Sequence, residues 1–264
     1  MITYNPVADI SSFIPPLAMQ IYVIVMVVAV IAGTVLDTLH KKSAKYFFEY
    51  KKESDALARR HLSSGEKVSI AVKTALHDVA ASGEFCNPRR RVAHLLTMYG
   101  FIFFVVTTAI LVFGYPTAET PAPAWVTLFW HLGALMVAVG GYWFWFFIRV
   151  DVAAEGYPWY RVVRADLFIL SLLATTTFAL LWSFLQWAGA GAVATLFFWL
   201  FVLAATVLFG TVFWSKFAHM FYKPAAAYQR RVAEASESWD ALPPPADKPE
   251  QFGLGINREL PRHY

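Results

Sequence analysis

The chain has 264 residues, of which 58% are hydrophobic, 17% aromatic and only 15% charged. Soluble domains are about 45–50% apolar and about 25% charged, so this composition excludes an ordinary soluble protein. A net charge of +4 raises the question of nucleic-acid binding. The sequence contains no recognisable nucleic-acid module, however, and membrane topology accounts for its basic residues.

Five apolar stretches are each long enough to cross a bilayer, which takes about 20 residues of helix. They cover about residues 13–39, 92–115, 125–148, 166–187 and 193–215. The first stretch lacks a basic segment before it and a small-residue cleavage site after it, so it is predicted to be a retained span. The sequence therefore predicts an all-α integral membrane protein with one five-helix domain, residues 1–221, followed by a tail, residues 222–264.

The basic residues predict the orientation of this bundle. All 22 Lys and Arg residues lie in 40–91, in 149–164 or after 215. Cytoplasmic segments of membrane proteins carry the excess of Lys and Arg. The N-terminus is therefore predicted outside and the C-terminus inside, which makes the long loop 40–91 and the tail cytoplasmic.

The loop 40–91 is predicted to contain two helices, at 46–62 and 65–81. The second is amphipathic, because one face carries Val68, Val72, Ala75, Leu76 and Val79. Lys67, Lys73 and Asp78 lie elsewhere on this helix, which suits an anionic membrane surface or, alternatively, a partner protein. The single cysteine, Cys86, also lies in the loop, so an internal disulfide and a Cys-ligated iron–sulfur cluster are excluded.

The tail is predicted to be helical over 225–236 and then to break at Leu242-Pro243-Pro244-Pro245. Such a proline run favours an extended polyproline spacer. The residues beyond it include the apolar side chains of Phe252, Leu254, Ile256 and Tyr264. Segments of this kind often become ordered on a partner, so docking is predicted, with a free terminus as the alternative.

Two histidines lie at the predicted cytoplasmic edge of the membrane. His94 begins the second span just after Arg90 and Arg91, and His219 follows the fifth span near Lys216. Two imidazoles facing each other across a bundle can hold the iron of a b-type haem, and the three cations can pair with its propionates or lie near a quinone. The alternative is that both rings are ordinary interfacial side chains.

Three other polar residues in or beside the spans need an interpretation. His131 lies in the outer half of the third span, where it can donate to a quinone carbonyl, relay protons or bond a neighbouring helix. Asp37 and Asp166 lie at cytoplasmic ends of spans, where a carboxylate can reach water. Asp166 directly follows Ala165 and Arg164, which favours a helix-end charge or an ion pair over proton uptake.

Two stretches resemble a known family. Residues 90–101, RRVAHLLTMYGF, and 213–224, FWSKFAHMFYKP, resemble the second and last helices of the nitrate-reductase gamma-type cytochromes b. Members of this family link cytoplasmic redox enzymes to the quinone pool. With GEFCN at 83–87 and the LPPP and DKPE stretches of the tail, the resemblance is closest to the membrane anchors of adenylylsulfate reductases in sulfur-oxidising bacteria.

The resemblance implies one haem b, held by His94 and His219, in a bacterial cytoplasmic membrane. Two-haem members carry further histidines at positions that fall here on Phe104 and Phe201, which cannot ligate iron. The sulfur chemistry would belong to a soluble flavin and iron–sulfur partner that oxidises sulfite with AMP, and electrons would pass to quinone. A haem-free anchor that only recruits this partner is the alternative; a small transporter is disfavoured because no pair of broken spans indicates a midplane site.

Overall fold

The computed structural model describes residues 2–40, 43–83, 85, 87–149 and 160–239. Within these ranges the chain is helical and contains no strand. In chain order the α-helices are α1 Pro6–Ile10, α2 Pro16–His40, α3 Ser43–Ala56, α4 Ser64–Lys73, α5 Pro88–Gly114, α6 Ala124–Trp143, α7 Leu167–Trp187, α8 Gly191–Gly210 and α9 His219–Ala235. Two π-helical segments, Thr74–Ala80 and Phe144–Ile148, extend α4 and α6, and a 3-10 turn, Arg164–Asp166, precedes α7.

Five of these helices are long and apolar enough to cross a membrane: α2, α5, α6 with its extension, α7 and α8. This confirms the five predicted spans. The second begins earlier than predicted because Asn87 caps it through the backbone N–H of Arg89 and Pro88 occupies its first turn. The orientation of the bundle stays a prediction.

The chain divides into two compact units whose boundary differs from the predicted one at residue 221. The membrane unit comprises Met1–Lys41 and Asn87–His219, and the loop unit comprises Lys42–Cys86 and Met220–Tyr264. The reason is that α9 packs with the loop helices. The Arg231 Nη2 donates to Asp78 Oδ1 at 2.7 Å, and Gln229 Nε2 donates to the Phe47 carbonyl at 3.0 Å.

In the membrane unit, α5 and α6 approach each other as closely as glycine allows. A Cβ on Gly133 would lie 2.6 Å from the backbone nitrogen of Phe104 and 2.8 Å from the carbonyl oxygen of Gly100. A Cβ on Gly140 would lie 2.8 Å from the carbonyl oxygen of Ala93. Small residues of this kind let membrane helices pack backbone to backbone. Further round the bundle, α6 contacts α7, α7 packs along α8, and α2 contacts α8 and α5.

The two ends of the bundle are named here after Tyr115 and Arg149. The Tyr115 end, predicted to face outside, is where α5 and α7 end and α6 and α8 begin. The short helix α1 lies against it: Asn5 Nδ2 donates to the Tyr115 carbonyl at 3.0 Å, and Gln186 Nε2 donates to the Pro6 carbonyl at 3.4 Å. The Arg149 end, predicted to be cytoplasmic, is the opposite one.

Aromatic rings fill the core towards the Tyr115 end. Phe104 of α5 lies 5.2 Å from Trp130 of α6, and Trp182 of α7 stacks on Phe201 of α8 at 5.5 Å, centroid to centroid. The ring of Phe198 lies 5.1 Å from that of Trp182. These five residues form the Tyr115-end cluster. Because each ring contacts rings of neighbouring helices, the cluster ties α5, α6, α7 and α8 together.

The helix α2 lies at the edge of the bundle. Only Met19, Gly33 and Asp37 of this helix are buried. More than half of the surface is exposed for the apolar side chains of Ile21, Ile24, Val28, Ile31 and Val35. An exposed apolar belt of this length suits contact with lipid.

The last span ends earlier than predicted, at Gly210 instead of residue 215. Residues 211–218 form turns, although the apolar stretch continues through them. In this segment Val212 packs against Gly33, whose Cβ would lie 2.8 Å from the Val212 Cβ, and the Phe213 ring lies 5.4 Å from the His40 ring. The segment therefore folds against the last turns of α2.

This packing corrects the expectation for Asp37. Its position falls between Gly33 and His40, the two α2 residues that the 211–218 segment contacts, and it is only 1% exposed. The expectation that Asp37 reaches water from the end of its span is wrong, because its side chain is buried in the fold. Asp166, at 8% exposed, is likewise buried.

In the loop unit, the end of α9 is fixed by a Schellman turn. Glu237 has a positive φ of 59°, Glu237 N–H donates to the Glu234 carbonyl at 3.2 Å, and Ser238 N–H donates to the Ala233 carbonyl at 3.1 Å. The hydroxyl of Ser238 also lies 2.7 Å from that of Ser54 in α3.

The same turn explains why the first loop helix ends at Ala56, before the predicted residue 62. The backbone N–H groups of Arg59 and Arg60 donate to the carbonyl of Ser236, at 3.0 and 3.2 Å. These donors therefore serve a contact with α9 and do not extend α3.

Candidate functional site

The first candidate site lies at the Arg149 end, where His94 stands in the second turn of α5 and is half-buried. Residues seven apart share a face of a helix, so His94 lies on the same stripe of α5 as Phe101. The ring of Phe101 lies 6.2 Å from that of Phe217. The His94 stripe therefore faces the segment that leads into His219.

His219 is the first residue of α9 and is exposed. Its ring lies 5.6 Å from the ring of Phe168 at the start of α7. The His219 Nδ1 contacts the carbonyl oxygen of Lys216. A carbonyl only accepts, so Nδ1 carries the hydrogen and Nε2 keeps its lone pair.

On donor chemistry the ring of His219 is compatible with an axial ligand of a b-type haem. A metal-bound imidazole needs one nitrogen with a lone pair and a second that donates to a carbonyl, carboxylate or water, and His219 has this arrangement. The cations predicted to serve the propionates lie at the same end of the bundle. Arg90 and Lys216 are exposed, and Arg91 is half-buried.

The packing around His219 differs from the predicted picture in one respect. Phe217, not His219, points into the bundle: it is 2% exposed, and its ring lies 5.5 Å from Phe168 and 6.0 Å from Phe209. The four rings of Phe101, Phe168, Phe209 and Phe217 form the Arg149-end cluster. The break after Gly210 causes this arrangement, because a continuous helix through residue 219 would turn different side chains inward.

The positions aligned with a second haem do not fit one. Phe104 and Phe201 have no donor atom, and their rings lie 6.4 Å apart, edge to face, inside the Tyr115-end cluster. The two positions are nevertheless neighbours across α5 and α8. The residue spacing of the family pattern therefore selects two positions whose side chains are in contact in the fold.

His131 is buried in α6 and bonds at both ring nitrogens. Nδ1 lies 2.8 Å from the carbonyl oxygen of Thr127, and Nε2 lies 2.7 Å from the hydroxyl of Ser183 in α7. The carbonyl must accept, so Nδ1 carries the hydrogen and the Ser183 hydroxyl donates to Nε2. Of the three roles predicted for His131, the interhelical hydrogen bond is thus present. Its single ring N–H already donates within α6.

A cavity of about 470 Å³ adjoins His131 at the Tyr115 end. It is otherwise lined by apolar residues: Ile2, Leu128, Leu132, Leu135, Leu180, Leu181 and Phe184. Gly133, two residues along α6, lies level with Phe104, ten residues beyond His94. At 1.5 Å per residue, the cavity and His94 are therefore about 15–18 Å apart along the bundle.

Asp166 forms an ion pair, as predicted, but its partner is Arg149 and not Arg164, which lies two residues before it. Arg149 Nε donates to Asp166 Oδ1 at 2.7 Å, Arg149 Nη2 contacts Oδ2, and the guanidinium lies 4.1 Å from the Trp145 ring centre. The Val163 N–H also donates to the carboxylate, at 2.9 Å.

These interactions hold Asp166 in its charged form. Burial alone would raise its pKa, but hydrogen bonds from Arg149 and Val163, with the nearby charges of Arg149 and Lys216, lower the pKa below its usual value. A carboxylate that stays ionised at neutral pH is poorly suited to proton uptake. The pair instead links the end of the α6 extension to the start of α7.

Several predicted features lie outside the described residues: Cys86, the polyproline run and the apolar end of the tail. Three pairings that shape the site were not predicted: Arg149 with Asp166, His131 with Ser183, and Phe101 with Phe217. The first of these pairings had a signal in the sequence. Arg149 is the basic residue at the end of the third predicted span, and Asp166 is the acidic residue at the start of the fourth.

Comparison with known proteins identifies no family for this chain. No family model, no curated protein and no solved structure matches it.

Proposed function

We propose that this chain is the membrane anchor and electron-transfer subunit of an oxidoreductase complex in a bacterial cytoplasmic membrane. It links a soluble flavin and iron–sulfur enzyme, by resemblance an adenylylsulfate reductase, to the quinone pool through one haem b. The observation that carries the proposal is the contact of Phe104 with Phe201. These positions are 97 residues apart, and the family pattern alone selects them as a facing pair. Their contact supports applying the same pattern to His94 and His219.

In this proposal the chain would bind and orient the haem, and the sulfur chemistry would belong to the soluble partner. His219 donates from Nδ1 to the Lys216 carbonyl, which orients its ring, and Nε2 is the nitrogen that would ligate the iron. Arg90, Arg91 and Lys216 supply positive charge for propionates at the water boundary. A haem bound there would carry single electrons between the soluble partner and quinone.

Electron delivery at one end suits reduction of quinone from the cytoplasmic side. The Tyr115-end cluster occupies the level of the second haem in two-haem members of the family that the sequence resembles, and its described residues offer no ligand for a second haem there. His131 is a weaker quinone ligand than its position in the sequence indicates, because its ring N–H donates to Thr127. The chain is then either a quinone-reducing subunit or an electron-conducting one.

The test is a dithionite-reduced minus oxidised absorption spectrum of the purified protein. We expect a b-type α-band that His94→Ala and His219→Ala each abolish and that His131→Leu leaves in place. All three variants are checked for folding by gel filtration in detergent. Stoichiometric haem in folded His94→Ala would contradict the ligand assignment.

A haem-free anchor is the second candidate, and Phe217 is the observation that favours it. This ring fills the interior between Phe101, Phe168 and Phe209, where haem would have to displace it. Folded wild-type protein without any haem would favour this function. A wild-type α-band that intensifies in Phe217→Ala would instead show that the ring yields to the cofactor.

Docking of the soluble partner is proposed to use the tail. Deleting residues 242–264 should release the partner from the membrane fraction and leave any haem spectrum intact, because these residues follow the last span. A contact made by the basic loop 40–91 would survive the deletion and weaken with salt. Membranes that keep the partner after truncation but lose it at high salt would move the docking site to that loop.

The proposed orientation has its own test. Reporter fusions after Thr117 should report a periplasmic location, and fusions after Glu155 or at Tyr264 a cytoplasmic one. A cytoplasmic signal at Thr117 would overturn the predicted topology and with it the side on which the partner docks.

A further inference from the structure

The helix α4 and its π-helical extension present an apolar stripe that the described residues leave exposed. Val68, Val72 and Leu76 follow one another at intervals of four residues and are 62%, 52% and 65% exposed. Side chains four apart lie on one face of a helix. Three large apolar side chains in a row, each more than half exposed, indicate a binding surface more strongly than isolated ones do.

The opposite face of the same element is anchored in the loop unit, which fixes the direction of the stripe. Thr74 is 3% exposed, and Asp78 pairs with Arg231 of α9. The start of α4 is fixed by a capping box between Ser63 and Glu66. The stripe is therefore the outward face of a helix held at its start and on its other side.

The π-helical segment Thr74–Ala80 also corrects the predicted apolar face. In a straight α-helix Val79 would continue the stripe, but the structure leaves it half-buried. A π-helix advances fewer degrees per residue than an α-helix, so side chains beyond Thr74 rotate relative to those before it. The stripe thus ends at Leu76.

The charges around the stripe favour a negatively charged partner. Between residues 57 and 83 the chain has four basic residues, Arg59, Arg60, Lys67 and Lys73, and two acidic ones, Glu66 and Asp78. Both acidic residues are already paired, Glu66 with Arg60 and Asp78 with Arg231. An apolar stripe with a net basic surround matches an anionic phospholipid surface.

The length of the connecting chain favours the membrane over a soluble partner. Ala80 precedes Pro88, the first residue of a membrane span, by eight residues, which reach at most about 28 Å. A surface this close is available to the helix at a high effective concentration. We propose that α4 and its extension lie on the anionic surface of the bilayer, with Val68, Val72 and Leu76 among the lipid chains. This proposal does not depend on haem or on the oxidoreductase partner.

The test uses the full chain in nanodiscs, with Cys86→Ser as background and an environment-sensitive fluorophore on Val72→Cys. Lys67→Cys is the matched control, because this exposed position lies about 140° round the helix from Val72. In nanodiscs of equal parts phosphatidylcholine and phosphatidylglycerol, doxyl-labelled lipid should quench the Val72 label several-fold more than the Lys67 label. Replacing phosphatidylglycerol by phosphatidylcholine should reduce this difference.

Two results would overturn the proposal. Equal, weak quenching at both positions would mean that the stripe faces water. A Val72 label that is shielded from water but not quenched by lipid would point to a protein occupant. Deleting residues 242–264 then identifies it, because loss of shielding on deletion would assign the stripe to the apolar tail of this chain.

Discussion

At the Tyr115 end of the bundle, Phe104, Trp130 and Trp182 come from three uninterrupted helices. At the Arg149 end, Phe217 comes from the turns after α8 and packs on rings of three helices. Both ends are thus filled by aromatic side chains. Among the described residues, the first end has His131 beside Trp130, whereas the second is built partly from a non-helical segment and lies near His94, His219, several cations and the Arg149–Asp166 pair. The same aromatic packing can therefore be built from continuous helices at one end and from a helix break at the other.

The largest effect is expected from disrupting the close packing of α5 against α6, because both ends of the bundle are built on these two helices. Gly133→Leu places a side chain where even a Cβ would lie 2.6 Å from the Phe104 backbone. Backbone cannot yield as a side chain does, so the loss should exceed the about 1–3 kcal/mol of ordinary overpacking. We expect no monodisperse protein by gel filtration in detergent. Gly114→Leu, at the end of the neighbouring helix α5 with open space around it, is the control and should fold normally.

The next effect should break the Tyr115 end alone. Trp182→Ala removes a 2% exposed ring that contacts Trp130, Phe198 and Phe201, and should lower stability by about 3–5 kcal/mol. Thermal unfolding followed by size-exclusion chromatography measures it. Trp187→Ala, at a 53% exposed position of the same helix, should change stability little. Equal losses for both would mean that the cluster is not a packing core.

At the Arg149 end the ion pair should give a loss of comparable or smaller size, with a pH signature. Asp166→Asn leaves the half-buried Arg149 guanidinium without its counter-charge, so the loss should be at most the about 3–5 kcal/mol of a fully buried pair. Asp55→Asn, in an exposed pair with Lys51, is the control and should cost under about 1 kcal/mol.

The lowered pKa of Asp166 sets the sign of its pH dependence. A carboxyl group whose pKa is lower in the folded state stabilises above its unfolded pKa of about 3.9 and loses this contribution as pH falls through the folded value. Wild-type protein should therefore lose thermal stability in acid below about pH 4, and Asp166→Asn should lose less over the same range. Identical acid profiles would remove Asp166 from the set of stabilising carboxylates.

The smallest expected effect sharpens the role of His131. A double-mutant cycle of His131→Leu and Ser183→Ala should give a coupling of about 0.6–1.7 kcal/mol, the range of hydrogen bonds between membrane helices. The quantity is measured by unfolding in detergent. A coupling near zero, together with altered quinone reduction in His131→Leu, would return His131 to a functional role.

The spans were predictable because hydrophobic length is a local property of the sequence. The end of α8 was not, since Val212 and Trp214 keep the hydropathy high through turns that arise from packing against Gly33. Long-range partners were also beyond reach: Asp166 has an arginine two residues before it, yet pairs with one seventeen residues away. For the candidate site, the family pattern predicted that positions 104 and 201 correspond, and hydropathy alone could not have selected them.

The serine contacts that hold the end of α9 also fix the point from which the rest of the chain leaves the loop unit. Ser238 is joined to Ser54, and Ser236 to the backbone of Arg59 and Arg60, so the 26 residues after Ser238 start from a fixed point on the loop unit. A chain of 26 residues spans at most about 90 Å. The proposed partner, if bound at Tyr264, would stay within that radius of Ser238, and each residue deleted between the two would shorten the maximum reach by about 3.5 Å.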